Sequence, residues 1–189
     1  VQIGGADGAG FTAHVVASLL YCYGSFRVLP LPKEGMYDIL LRRAIQVAPD
    51  FSSSQSAMAL WGLSKIAIFS KVRQDQLCYT IQQRLFQIHR EEPHNMLDRD
   101  LINSLWAMGR LRMEVPPPTM TRITQDFLAV GATLDPRQIT MVLVAYRKLG
   151  ADMPEGLCDL LVGRIIGTIE DFKPKDLAEC LWSLFMLGR

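Results

Sequence analysis

Apolar residues in this chain recur in seven-residue clusters that open on a leucine and, in most cases, close on an aliphatic side chain. Leu60 to Ile66, Leu105 to Leu111 and Leu181 to Leu187 each begin Leu-Trp; Leu143 to Leu149 fits the same frame, and Leu20 to Phe26 fits it more loosely. The opening leucines Leu20, Leu60, Leu105, Leu143 and Leu181 stand 40, 45, 38 and 38 residues apart. Eight or nine residues before an anchor comes an apolar residue followed by helix-starting chemistry, as at Phe51-Ser52, Leu97-Asp98, Leu134-Asp135-Pro136 and Phe172-Lys173-Pro174. Ser and Asp accept from the free N–H groups of a first turn, and proline is tolerated there because it has no N–H to satisfy. A second periodic segment starts after each anchor, at Met36, Leu77, Met120 and Leu157, with apolar residues at helical spacing such as Leu157, Leu160, Leu161 and Ile165. Breakers separate the two segments: Leu29-Pro30-Leu31-Pro32, Pro116-Pro117-Pro118 and Gly150 to Pro154.

Each unit therefore reads as helix A, turn, helix B, turn, and no segment requires a strand. A two-helix unit cannot bury its apolar faces alone, so such units stack. The expected fold is all-α, an α-α solenoid of about five two-helix repeats of 38–45 residues, following a flexible segment over 1–13. The units run over about 14–50, 51–96, 97–133, 134–171 and an incomplete 172–189. Three residues before an anchor and two after it, the chain is mostly small: Ala17, Ala57, Thr140 and Ala178, then Cys22, Gly62, Ala107, Ala145 and Ser183. Small residues let helices approach closely. Trp61, Trp106 and Trp182 are expected to fill the gaps between layers, and the extra residues of the 45-residue unit to fall in Arg90 to Asn95.

This pattern resembles the octotricopeptide repeat family of organellar RNA-binding proteins and the related heptatricopeptide repeats. Pro116-Pro117-Pro118, Leu105-Trp106-Ala107-Met108-Gly109-Arg110-Leu111 and Leu134-Asp135-Pro136-Arg137-Gln138 carry the likeness, which extends from about residue 14 onward. The chain lacks the alanine richness of some members and has Tyr21 and Val144 where tryptophan is usual. The resemblance implies binding of single-stranded or ribosomal RNA in a mitochondrion, or alternatively a plastid, and a structural place in a divergent mitochondrial ribosome. A transcript-specific processing or translation factor and a protein-interaction scaffold are the alternatives.

Charge narrows the RNA reading without choosing it. With 20 Lys+Arg against 19 Asp+Glu the net charge is +1, so any nucleic-acid contact depends on a local basic face. On helix A the positions two before, two after and five after the anchor share one stripe. That stripe is Met58, Gly62, Lys65 in the second unit, Asn103, Ala107, Arg110 in the third and Met141, Ala145, Lys148 in the fourth. Lys65, Arg110 and Lys148, with Asn103 and Arg147 beside them, are the candidate RNA-binding residues. A cation at the C-terminal end of a helix is also favoured by the helix dipole, and that reading accounts for each of the three taken alone. Helix B offers a second basic row, Arg43, Arg84 and Arg164, broken by Phe127. On an outer layer that row reads as a solvated face.

Other candidates fall away. Gly4 to Gly10 lacks the Gly-Lys-Ser/Thr ending of a phosphate loop. His89 and His94 are five residues apart across Pro93, which does not set two imidazoles on one helix face. Cys78 and Cys158 hold equivalent places in helix B and read as packing residues. Glu91-Glu92 and Glu170-Asp171 have no histidine in evident range. The expectation is a non-enzymatic protein with no metal and no cofactor. The longest apolar run, Val15 to Tyr23, has nine residues against the ~18 or more of a membrane span. Leu181, Trp182, Leu184, Phe185 and Leu187 are too apolar a set to face water, so a continuation of the chain or another subunit of a ribonucleoprotein assembly is expected to cover that end.

Overall fold

The computed structural model describes residues 11–27, 35–70 and 74–189. The glycine-rich stretch Gly4 to Gly10, most of the expected flexible segment, and the Leu29 to Pro32 breaker lie outside the described residues. Among the described residues there are nine α-helices and no strand: α1 (Ala13–Phe26), α2 (Met36–Val47), α3 (Ser53–Ser70), α4 (Asp75–Glu91), α5 (Asp98–Leu111), α6 (Pro117–Val130), α7 (Pro136–Leu149), α8 (Glu155–Gly167) and α9 (Pro174–Met186). None of these helices is long and apolar enough to cross a membrane. The chain forms two compact units, residues 1–104 and 105–189, with the division inside α5.

Local geometry follows the anchor leucines closely. The odd-numbered helices α1, α3, α5, α7 and α9 all start seven residues before their anchors. Short 3-10 turns at Ala48–Asp50, Pro93–Asn95, Gly131–Thr133 and Ile169–Asp171 each begin twelve residues before the next anchor. After every one of them the chain extends, at Phe51, Met96, Leu134 and Phe172, each of whose N–H groups donates back to the first residue of its turn. Capping chemistry then opens the helix. Thr12 accepts from the Val15 N–H, and Ser52 with Gln55 and Asp135 with Gln138 make reciprocal capping boxes. Pro117, Pro136 and Pro174 stand in the first turns of α6, α7 and α9, so the triple proline opens a helix as much as it ends a turn.

Two sequence expectations change here. Pro93–Asn95 is the ordinary turn before a helix, not an insertion; the longer unit gains its residues chiefly from the helices, α3 with 18 residues and α4 with 17 against 14 in α5 and α6. The apolar residue in the extended position before α5 is likewise not Leu97, which is 53% exposed; half-buried Met96 holds the place taken elsewhere by the buried Phe51, Leu134 and Phe172.

In the first unit α1 lies along α3 while α2 packs on α1 and α4, and α4 on α3. Gly24 of α1 and Gly62 of α3 meet backbone to backbone: a Cβ on Gly62 would strike the Leu20 carbonyl, and one on Gly24 would strike Gly62 itself. Leu20 and Leu60 are fully buried around this contact. Buried Asp100, at the start of α5, accepts from Ser53 Oγ at 3.2 Å and Ser54 Oγ at 2.5 Å, tying that helix to the start of α3. In the second unit α7 lies along α9, α6 packs on α8, and α7 touches α8. Leu143, Phe127, Leu157 and Leu161 form its core, with Tyr146 Oη 2.6 Å from Thr124 Oγ1 at the bottom. Thr140 Oγ1 lies 3.2 Å from Cys180 Sγ where α7 meets α9.

The glycine contact sets a mutational contrast. Gly62→Ala forces a methyl group onto the α1 backbone and is expected to destabilise by about 1–3 kcal/mol or to prevent folding. Gly163→Ala, in α8 with open space around its Cβ position, is expected to stabilise by about 1 kcal/mol, as helix propensity dictates. Denaturant midpoints of the two variants check both signs.

Candidate nucleic-acid interface

The small residues of the expected stripe do not face outward. Gly62, Ala107, Ala145 and Ser183 are buried, and Met141 is 7% exposed, so these positions are packing surface. Side chains beyond the anchors reach solvent instead; Arg110 and Lys148 stand in the last turns of α5 and α7, but Lys65, expected at a helix end, lies five residues before the end of α3. Lys65 and Arg110 are half-buried and Lys148 is exposed; Asn103 is half-buried near the middle of α5. The tryptophans, expected between layers, reach solvent too. Trp61 and Trp106 are half-buried and Trp182 is 50% exposed.

The cations and the tryptophans belong together. Lys65 Nζ lies 4.9 Å from the centre of the Trp61 ring, and the Arg110 guanidinium carbon 4.8 Å from that of Trp106. Each pair is spaced i, i+4, one turn apart on the same face of its helix. A cation over an indole face gains about 0.5–1 kcal/mol at an exposed site and more where water is excluded, and the ring holds a long side chain in one place. Lys148 has Val144 where the ring would be and is placed differently. A Cβ built on Gly109 would lie 3.2 Å from the Lys148 Cβ and 3.3 Å from the Ala145 carbonyl oxygen. The absence of a side chain there lets the stem of Lys148 lie against the end of α5, next to Arg110.

Within the second unit this produces a concentrated positive field. Lost hydration lowers the Lys148 pKa from the ordinary lysine value, and the neighbouring Arg147 and Arg110 lower it further; Glu179 opposes them and Arg112 adds to them. Desolvation likewise lowers Arg110, again against Glu179, and its Nε is buried without a hydrogen-bond partner. Arg147, a candidate from the sequence, is otherwise engaged. Its Nε donates to Ser183 Oγ at 3.1 Å and its terminal nitrogen pairs with Glu179, fastening α7 to α9. The sequence could not reveal this because Glu179 is 32 residues away.

The helix-B row has a structural task in place of the solvated face the sequence suggested. Arg43 Nε donates to the Phe11 carbonyl at 3.0 Å, Arg84 Nε to the Phe51 carbonyl at 3.0 Å, and Arg164 Nε to the Leu134 carbonyl at 3.4 Å. Each acceptor stands nine residues before an anchor, so the arginine pins the extended entry to helix A onto helix B of the same hairpin. Arg43 and Arg84 also donate to Gln46 and Gln87, three residues on. At the third position Phe127 is fully buried and substitutes packing for the bond.

Among the described residues no group of three or more His, Cys, Asp and Glu side chains is placed to hold a metal ion. A 510 Å³ groove lined by Val115, Pro117, Met120, Leu149 and Pro154 opens beside the turn between α7 and α8, and a 690 Å³ polar hollow lies at the start of α3. No protein-family model matches the sequence, and no curated protein matches it significantly.

Replacing the pinning arginine separates fold from binding. Arg84→Met removes a charged donor from the partly buried Phe51 carbonyl, at an expected cost of about 1.5–3 kcal/mol in unfolding free energy, and leaves RNA affinity where it was. Denaturant titration and RNA binding measured on the same preparation check both halves.

Proposed function

We propose that the chain is a helical-repeat RNA-binding protein, a solenoid of about five two-helix units that binds single-stranded RNA at the C-terminal halves of its A helices. The observation that carries this reading is the shared register of Lys65, Arg110 and Lys148, each five residues after its anchor leucine, with two of them seated on tryptophan faces. Each of these cations offers a contact for a phosphate, while guanidinium and indole planes suit unstacked bases. The resemblance to octotricopeptide-type repeats supports an organellar setting, a mitochondrion first and a plastid second.

Magnitudes favour a structural role in a ribonucleoprotein over independent recognition of one transcript. Three to five phosphate contacts on a single strand give a salt slope of about −2 to −3.5, which is modest affinity. A reader taking about one base per repeat would address only about five bases, too few to single out a message. A ribosomal RNA held also by neighbouring subunits suits both limits, and a divergent mitochondrial ribosome is the setting we favour.

A protein-interaction scaffold is the second reading, and one observation favours it. On α9, Leu181, Trp182, Phe185 and Met186 are 50–70% exposed, with Trp182 stacked on Phe185 at 5.8 Å. Apolar surface gathered on one helix is a usual mark of protein contact.

Reversing charge at Lys65, Arg110 and Lys148 together is expected to weaken binding of a single-stranded oligonucleotide by at least tenfold at low salt, at about 0.7 log units per lost contact at 0.1 M. Circular dichroism should remain that of the parent. Equal affinity of the folded triple variant and the parent would remove the face, and binding partners insensitive to added RNA would favour the scaffold.

A further inference from the structure

Helices α5, α7 and α9 end in the same closed turn. In each, the residue seven after the anchor has left-handed backbone: Arg112 at φ 54°, Gly150 at φ 62° and Gly188 at φ 73°. At all three the N–H of that residue donates three residues back, and the next N–H donates five back: Arg112 to Gly109 and Met113 to Met108, Gly150 to Arg147 and Ala151 to Tyr146, Gly188 to Phe185 and Arg189 to Leu184. This is the paired closure that normally selects glycine, because a Cβ in the left-handed region crowds the carbonyl that follows it. Two of the three turns carry glycine and the third carries arginine; Arg27, seven residues after Leu20 at the end of α1, is left-handed too at φ 54°, so arginine and glycine each hold two of the four such positions.

Arg112, exposed as Gly150 and Gly188 are, stands two residues past Arg110 at the end of α5, where the Lys148 stem lies against Gly109, and its charge is felt at Lys148. Arg110, Arg112, Arg147 and Lys148 thus gather in one place, and Glu179, which lies within the same field, is bound by Arg147. Like charges drawn together raise one another's energy in the free protein, and a polyanion laid across them lowers it.

We infer that Arg112 is a phosphate-binding residue of the RNA face, kept at a left-handed position that glycine would fill more stably, and that Arg110, Arg112 and Lys148 form its strongest anion-binding point. The inference rests on the RNA reading above and adds to it a residue and a place along the strand. The site takes a phosphodiester backbone, not a particular base.

The test uses the full chain and a fluorescent oligouridylate. Arg112→Gly is expected to raise Tm by about 2–4 °C, as relief of a left-handed side chain does in a protein of this size. It should also weaken binding about fivefold at 0.1 M salt and reduce the magnitude of the salt slope by about 0.7. Arg112→Lys, which keeps both charge and strain, should bind as the parent does and melt at the parent temperature. A paired variant, Arg110→Glu with Lys148→Glu, serves as the reference for the face itself. If that pair loses binding while Arg112→Gly keeps it, the inference is wrong and the RNA reading stands. If Arg112→Gly melts lower than the parent, the arginine supports the turn, and the inference is also wrong. If neither the pair nor Arg112→Gly alters binding, the RNA face itself fails and takes the inference with it.

Discussion

Close approach of helices at small side chains is the constraint from which the rest of this structure follows. Where Gly24 meets Gly62, the backbones of α1 and α3 are in contact, and no side chain intervenes. At the end of α5, Gly109 admits the Lys148 stem against its backbone in the same way. Dispersion falls away steeply with a gap of even half an ångström, so two helices this close are held in one register and cannot slide. The capping residues, helix starts and 3-10 turns all keep the same offsets from the anchor leucines. A cation five residues after the anchor is thereby brought to the last turn of α5 and of α7, whereas in the longer α3 Lys65 stands before the last turn.

Electrostatics then divides the arginines into two kinds of work. Arg43, Arg84 and Arg164 spend their Nε donors on main-chain carbonyls, holding the entry to helix A onto helix B. Arg147 holds α7 to α9 through Glu179 and Ser183. Arg110 lies over the Trp106 ring with its Nε unsatisfied, and Lys148 sits in the field of its neighbours. In a chain of net charge +1, positive charge gathered in this way is a local feature that the overall balance conceals.

How much of this was legible in the sequence depends on the range of the signal. Helix starts were legible because capping is local: Ser52 with Gln55 and Asp135 with Gln138 act within one turn. The buried leucines and the small residues beside them were legible because they recur at fixed spacing. Arg147 was read as facing a ligand because nothing nearby in sequence announces Glu179. The helix-B arginines were read as solvated because their acceptors are main-chain carbonyls 30–33 residues upstream, and a carbonyl has no residue type. Arg112 was missed altogether. Its signal is a backbone angle, which no residue type announces. Equal offsets from the anchors set it in line with Arg27, Gly150 and Gly188.

Ultraviolet crosslinking of single-stranded RNA to the intact protein, with the attached peptides identified by mass spectrometry, tests the central claim most directly. The account predicts adducts in the peptides that hold Trp61 and Lys65, Trp106 to Arg112, and Tyr146 to Lys148, lost when unlabelled RNA competes. Adducts confined to α2, α4, α6 and α8, or none above the level given by an unrelated folded protein, would contradict it.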